Sequence, residues 1–262
     1  MVPLGGRSRA RNDLLRNVQV SFQIQAFGCS DVGQVRVRNE DTMAVEPSEG
    51  LVVVADGMGG APSGDLASSL AVQEVTGALK EGEGMSEAVL RANQRIRDMT
   101  EAQPILAGMG TTVTALQVSS TTGRFSVGHV GDSRAYLLTA GTFTQITRDH
   151  TMVRDMVDAG RIPASAEREH PLNHILSRAL GTEDEVEVDL IEGETQAGDC
   201  FLLCSDGLVK VMEDEEMEEW VRRIVGEPVE DLVVGMVEEA NRRGAPDNVT
   251  VALLAMAADL SS

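Results

Sequence analysis

The sequence predicts an α+β protein in which antiparallel β-sheets pack together with helices on the outside. Short runs rich in Val, Ile, Thr and Leu recur along most of the chain. Helical patterns come in two adjacent pairs. Strict alternation of strand and helix is missing, which argues against a doubly wound parallel sheet. With 262 residues, the chain sits at the upper edge of what one core can organise, and residues 19–258 are expected to form one domain.

The strand candidates, in order, are 20–27, 42–46, 51–55, 111–118, 124–130, 134–140, 186–191, 200–204 and 249–256. The first helix pair covers about 64–80 and 86–101, with Val89, Ala92, Ile96 and Met99 on one face. The second covers about 214–225 and 229–242. There Met217, Trp220, Val221, Ile224 and Val225 form one stripe, and Val229, Leu232, Val233, Met236, Val237 and Ala240 form another. These stripes read as core. Residues 148–182 have weak periodicity and read as an irregular flap with a short helix near 150–159. Residues 1–18 read as a flexible tail carrying Arg7, Arg9, Arg11 and Arg16.

Composition removes several function classes. Hydrophobic residues make up 42% of the chain, enough for a substantial core, while aromatics are only 3%, which argues against base-stacking platforms. The formal net charge of -20 repels phosphate backbones, so nucleic acid is not an expected partner. The same charge means that an anionic substrate would need a local inversion of sign, which bound cations supply. No apolar run approaches the roughly 20 residues that span a bilayer, so no membrane contact is expected. Cys200 and Cys204 fall on one face of a strand and, with Cys29, read as free thiols in a reduced, cytoplasmic setting.

The informative feature is where the aspartates fall. Asp56-Gly57 follows the apolar run 51–55, Asp206-Gly207 follows 201–205, and Asp247-Asn248 precedes 249–254. Antiparallel strands can bring all three to one rim. Asp-Gly after a strand is also the commonest turn signal, and each pair taken singly is open to that reading. Converging carboxylates about 4 Å apart repel by roughly 4 kcal/mol at an effective dielectric near 20. A cation relieves this, and oxygen-only ligands favour Mg²⁺ or Mn²⁺. His129, His150, His170 and His174 lack zinc-site spacing.

A set of segments occurs in order over residues 28–256. They begin with Ser30-Asp31-Val32-Gly33-Gln34-Val35-Arg36-Val37-Arg38-Asn39-Glu40-Asp41 and Ala55-Asp56-Gly57-Met58-Gly59-Gly60. Gly108-Met109-Gly110-Thr111-Thr112, Val130-Gly131-Asp132-Ser133-Arg134-Ala135-Tyr136 and Thr147-Arg148-Asp149-His150 follow. Ser177-Arg178-Ala179-Leu180-Gly181, Leu203-Cys204-Ser205-Asp206-Gly207-Leu208 and Asp247-Asn248-Val249-Thr250 complete the series. Together they resemble the metal-dependent Ser/Thr protein phosphatases of the 2C type, in their bacterial branch.

The resemblance implies two stacked antiparallel β-sheets flanked on both sides by antiparallel helix pairs. It implies two Mn²⁺ or Mg²⁺ ions at one end of the sandwich, with a weaker third. Asp56 would bridge the pair and the Gly57 carbonyl would ligate one ion. Asp206 and Asp247 would hold the other, Glu40 and Asp41 would hold coordinated waters, and Asp132 would support the third ion. Arg36 matches the arginine that grips the substrate phosphate. Asp56, Asp206 and Asp247 would then carry catalysis, in which a water or hydroxide bridging the ions attacks phosphoserine or phosphothreonine directly. The implied partners are phosphorylated proteins, namely Ser/Thr kinases and their substrates, met by a monomer.

The alternatives are a dedicated regulator phosphatase in a sigma-factor switch and a catalytically silent binding relative. Three positions depart from the pattern. Met58 stands where some relatives have a histidine, Lys210 where they can carry a metal-site aspartate, and Ala61-Pro62-Ser63 replaces the usual histidine after Gly-Gly.

Overall fold

A computed structural model describes residues 21–59 and 63–259. The tail expected over 1–18 lies outside the described residues. The strands are β1 (Phe22–Asp31), β2 (Asp41–Glu46), β3 (Leu51–Met58), β4 (Gly110–Thr111), β5 (Val113–Val118), β6 (Arg124–Val130), β7 (Arg134–Thr139), β8 (Thr142–Gln145), β9 (Asp189–Glu194), β10 (Cys200–Cys204) and β11 (Val249–Ala258). The helices are α1 (Ser63–Lys80), α2 (Met85–Ala102), α3 (Met152–Asp158), α4 (Asp206–Val209), α5 (Asp214–Arg222) and α6 (Val229–Arg242).

Two antiparallel sheets form. One runs β1-β11-β10-β7-β8. The other runs β2-β3-β5-β6-β9, with β4 paired to β3. The central strands β3, β5, β10 and β11 are buried on both faces along most of their length, which explains why they read as continuous apolar runs rather than alternating ones. In β3, Leu51, Val53 and Ala55 turn to the α1–α2 hairpin, and Val52 and Val54 turn inward between the sheets. In β10, Cys200, Leu202 and Cys204 turn to α5 and α6, and Phe201 and Leu203 turn inward. Both thiols are therefore core groups, and burial pushes each up to about 12. Three apolar layers result, and the architecture is the expected helix–sheet–sheet–helix sandwich.

Several boundaries differ from the sequence reading, each for a physical reason. The 51–55 strand continues to Met58, because Asp56 pairs with Asp41 and Gly57 with Thr111. The Asp56-Gly57 pair is therefore strand, not a turn, and Asp206-Gly207 opens the short helix α4. The expected strand 186–191 begins only at Asp189, since Val186 and Val188 pack against the helix-hairpin core instead. The 111–118 strand breaks at Thr112, whose hydroxyl accepts a hydrogen bond from the Asp56 amide at 2.9 Å. The helix expected over 214–225 ends at Arg222, and Val225 is 94% exposed rather than part of the apolar stripe. The short edge strand β8 was not expected at all.

The flap between β8 and β9 has one short helix, α3. A single bridge between Thr151 and Leu176 joins its two arms, and another from Leu180 to Thr111 ties it to β4. Arg134 pairs structurally with Asp149 at 2.7 Å, which fixes the start of the flap. No helix among the described residues is long and apolar enough to cross a membrane.

Candidate active site

Antiparallel pairing brings the end of β3 beside the start of β2, and the end of β10 beside the start of β11. Asp41 and Asp56 lie at the rim of one sheet, and Asp206 and Asp247 flank the rim of the other. The two rims are joined directly. Asp41 Oδ2 accepts hydrogen bonds from Ser205 Oγ at 2.7 Å and from Thr250 Oγ1 at 2.6 Å. A cleft of about 610 Å³ opens there, lined by Arg36, Glu40, Asp56, Gly57, Asp132, Asp206, Lys210 and Asp247, with His174 and Leu176 of the flap at its edge.

Two glycines are required by close approach. A Cβ on Gly57 would lie 2.1 Å from the Gly64 carbonyl oxygen, and one on Gly207 would lie 1.9 Å from that of Asn248. Asp56 is fixed through its backbone. Its carbonyl accepts from the Thr112 amide at 2.9 Å and the Thr111 hydroxyl at 2.9 Å. Asp132 follows Gly131, whose amide donates to His150 Nδ1 at 3.1 Å and whose carbonyl accepts from the His150 amide at 2.7 Å.

The electrostatics are those of crowded carboxylates. Burial, with the charges of Asp41, Asp206, Asp132 and Asp247 added, pushes the Asp56 carboxyl well above its usual range. Burial and the Asp206 charge do the same to Asp132. Burial raises Asp41 to about 6 against the pull of its two hydroxyl donors, and it raises Glu40 as well. Asp247 runs the other way: burial pushes it up, but Lys210 and Arg36 outweigh burial and hold it low. Arg36 Nε and Nη2 contact Asp247 Oδ1 and Oδ2 at 2.8 and 2.9 Å. Lys210 Nζ lies 2.6 Å from Asp206 Oδ2 and 2.7 Å from Asp247 Oδ2.

Arg36, Glu40, Asp56, Gly57, Asp132, Asp206 and Asp247 thus line one cleft, and Asp41 stands behind it as the register partner of Asp56. Among the described residues, however, no three carboxylates close on a single point, and Lys210 and Arg36 hold Asp206 and Asp247 in ion pairs. Two carboxylate oxygens, Asp41 Oδ1 and Asp206 Oδ1, are buried without a hydrogen-bond partner. Such orphaned acceptors are costly, and together with the raised carboxyls they fit a divalent cation bound by oxygen.

Ser205, Asn248 and Thr250 belong to the sequence motifs, and only the structure shows what they do. Asn248 accepts from the Glu40 amide at 2.9 Å and donates to the carbonyls of Val32 and Arg38 at 2.9 and 2.8 Å. It therefore clamps the loop that carries Arg36. Their signal was adjacency to Asp206 and Asp247 in the motifs.

Comparison with known proteins decides the family. The protein phosphatase 2C family model matches residues 34–238. The chain belongs to the protein phosphatase 2C family. It is 40% identical over 239 residues to the serine/threonine protein phosphatase PstP of Mycobacterium tuberculosis, covering 89% of this chain and 45% of that one. The chain thus spans about half the length of that relative. It is 36% identical to the serine/threonine phosphatase Stp of Listeria monocytogenes, covering 86% of this chain and 93% of that one.

Among solved structures of this phosphatase family, that of M. tuberculosis PstP superposes with a TM-score of 0.82 at 38% identity, covering 89% of this chain and 99% of that one. A PstP catalytic domain in complex with two manganese ions matches at 0.79 and 36% identity, covering 90% and 100%.

Proposed function

We propose that this chain hydrolyses phosphoserine and phosphothreonine in proteins, using divalent cations held by the cleft carboxylates. The observation that carries the reading is the buried, unpartnered oxygen of Asp206 in the same cleft as Arg36, with a second such oxygen on Asp41, the register partner of Asp56. Asp56, the Gly57 carbonyl, Asp206 and Asp247 are the groups that would hold two Mn²⁺ or Mg²⁺ ions, with Glu40 and Asp41 behind them and Asp132 at a weaker third position. The ions, when bound, supply a water of lowered pKa and neutralise charge on the phosphate.

The protein's own groups do the rest. Ser205 and Thr250 hold Asp41 in one orientation, and the Thr111 and Thr112 contacts fix the backbone of Asp56. Arg36 presents a planar fork that suits two phosphate oxygens, so it positions the group for in-line attack. No cysteine competes as a nucleophile: Cys200 and Cys204 sit in the core, Cys29 packs against the same cluster, and none of the three lines the cleft. Phosphorylated proteins, namely Ser/Thr kinases and their substrates, are the partners this activity would serve.

The reading is tested by hydrolysis of a phosphothreonine peptide and an aryl phosphate with Mn²⁺, Mg²⁺ or a chelator. Turnover with either ion and none with chelator is expected. Turnover that survives chelation overturns the reading.

A further inference from the structure

We propose that Lys210 is the tethered counter-ion of this centre, which a divalent cation must displace, so that this side chain sets how tightly the protein holds cations. The inference rests on the reading that Asp206 and Asp247 are cation ligands. Its own support is geometric. Lys210 stands four residues after Asp206, at the C-cap that closes the single turn of α4, so its stem rises beside that carboxylate. Its ammonium reaches Asp206 Oδ2 at 2.6 Å and Asp247 Oδ2 at 2.7 Å, and so spans the two carboxylates from the adjacent rims of β10 and β11.

The remaining acceptors are distributed unequally. Asp206 keeps Oδ1 free, buried and unpartnered. Asp247 has neither oxygen free of cationic contact, since Arg36 Nε takes Oδ1 at 2.8 Å. A cation arriving at Asp206 therefore meets an open oxygen, whereas one that also needs Asp247 must displace a protein cation. An ammonium and a divalent ion cannot share one carboxylate oxygen without strong repulsion. Lysine suits displacement because its charge is a point at the end of a flexible four-carbon stem.

Lys210 therefore opposes cation binding while neutralising the carboxylates in its absence. That is the opposite of a residue that helps to build the site, and the two roles predict opposite signs for the same measurement.

The experiment is calorimetric titration of Mn²⁺ into the full chain, comparing wild type, Lys210→Met and Lys210→Arg, each checked for folding by thermal melting. Methionine keeps an unbranched stem and removes the charge; arginine keeps the charge. Lys210→Met is expected to bind Mn²⁺ roughly 5- to 50-fold more tightly, on the scale of a half-buried ion pair. Lys210→Arg is expected to stay close to wild type. Unchanged or weaker binding in Lys210→Met overturns the proposal, and so does equal tightening in both variants, which would locate the effect in packing. Failure of all three proteins to bind Mn²⁺ overturns the phosphatase reading along with it.

Discussion

Asp41 and Asp56 stand directly opposite each other as register partners on β2 and β3. Like charges in that position destabilise a sheet, and these two are also buried. The pairing makes sense as a site in which the fold gives up stability for a ligand. Ser205 and Thr250 hold Asp41 by one oxygen and leave the other facing inward without a partner.

A pH dependence follows. Asp41 is raised from 3.8 to about 6 by burial, so its protonated form favours the folded chain. That contribution is fully present below pH 3.8 and is lost as pH rises through about 6. The shift corresponds to a penalty on the order of 3 kcal/mol in the metal-free protein at pH 8. Asp41→Asn should therefore raise the metal-free Tm at pH 8 and shrink the further rise produced by Mn²⁺. For the wild type, the Mn²⁺-induced rise should fall as pH drops from about 8 to 5.5, because protons compete for the same oxygens. Thermal melts with and without chelator check both, and a Mn²⁺-induced rise independent of pH contradicts the assignment.

His129 should shape the acid limb of stability in the opposite sense. It is wholly buried between the Thr114 hydroxyl at 2.9 Å and the Arg148 carbonyl at 3.0 Å. Burial, with the nearby His150, lowers it from 6.5 to about 4. Its contribution is present above pH 6.5 and is lost as pH falls toward 4, a span worth on the order of 3 kcal/mol. His129→Gln should be less stable than wild type at pH 7.5, and the gap should narrow by pH 4.5. A gap of constant size would show that His129 does not titrate between the two states.

Asn248→Ala removes three hydrogen bonds to the loop 32–40. A cost of about 2–4 kcal/mol is expected. Because the loop carries Arg36, KM for a phosphopeptide should rise as well. Denaturant titration beside steady-state kinetics reads both quantities, and an unchanged KM would separate the clamp from substrate binding.

Arg36→Ala should lower kcat/KM by roughly 10- to 150-fold, the scale of a bidentate charged contact to phosphate. Arg36→Lys should rescue only part of this, since a point charge cannot reproduce the fork. Mn²⁺ affinity should not weaken in Arg36→Ala, because the guanidinium now occupies Asp247 rather than ligating an ion. Weakened cation binding would place Arg36 in the metal site instead of the phosphate site.

Much of this was legible in the sequence where apolar periodicity and burial coincide. The runs 124–130, 200–204 and 229–242 match β6, β10 and α6 to the residue, because each carries an unbroken set of buried apolar side chains on its core face. β8 was illegible because Thr142–Gln145 is short, polar and at a sheet edge. The aspartates were legible as a group, but the turn reading of Asp56-Gly57 fails on a long-range fact. Asp41 and Thr111, which pair with them, are 15 residues earlier and 54 later, beyond any local signal. The same holds for Lys210. The sequence shows a lysine in place of an expected aspartate, and only the fold shows that it spans two carboxylates from separate strands.

Asp206 and Asp56 are the carboxylates on which cation-dependent hydrolysis turns. The most direct measurement is the turnover of a phosphothreonine peptide by wild type, Asp206→Asn and Asp56→Asn at saturating Mn²⁺. Both variants should lose at least about 100-fold in kcat, since water activation and clamping fail together. Near-wild-type turnover in either folded variant would mean that these carboxylates are structural and that hydrolysis does not run through them.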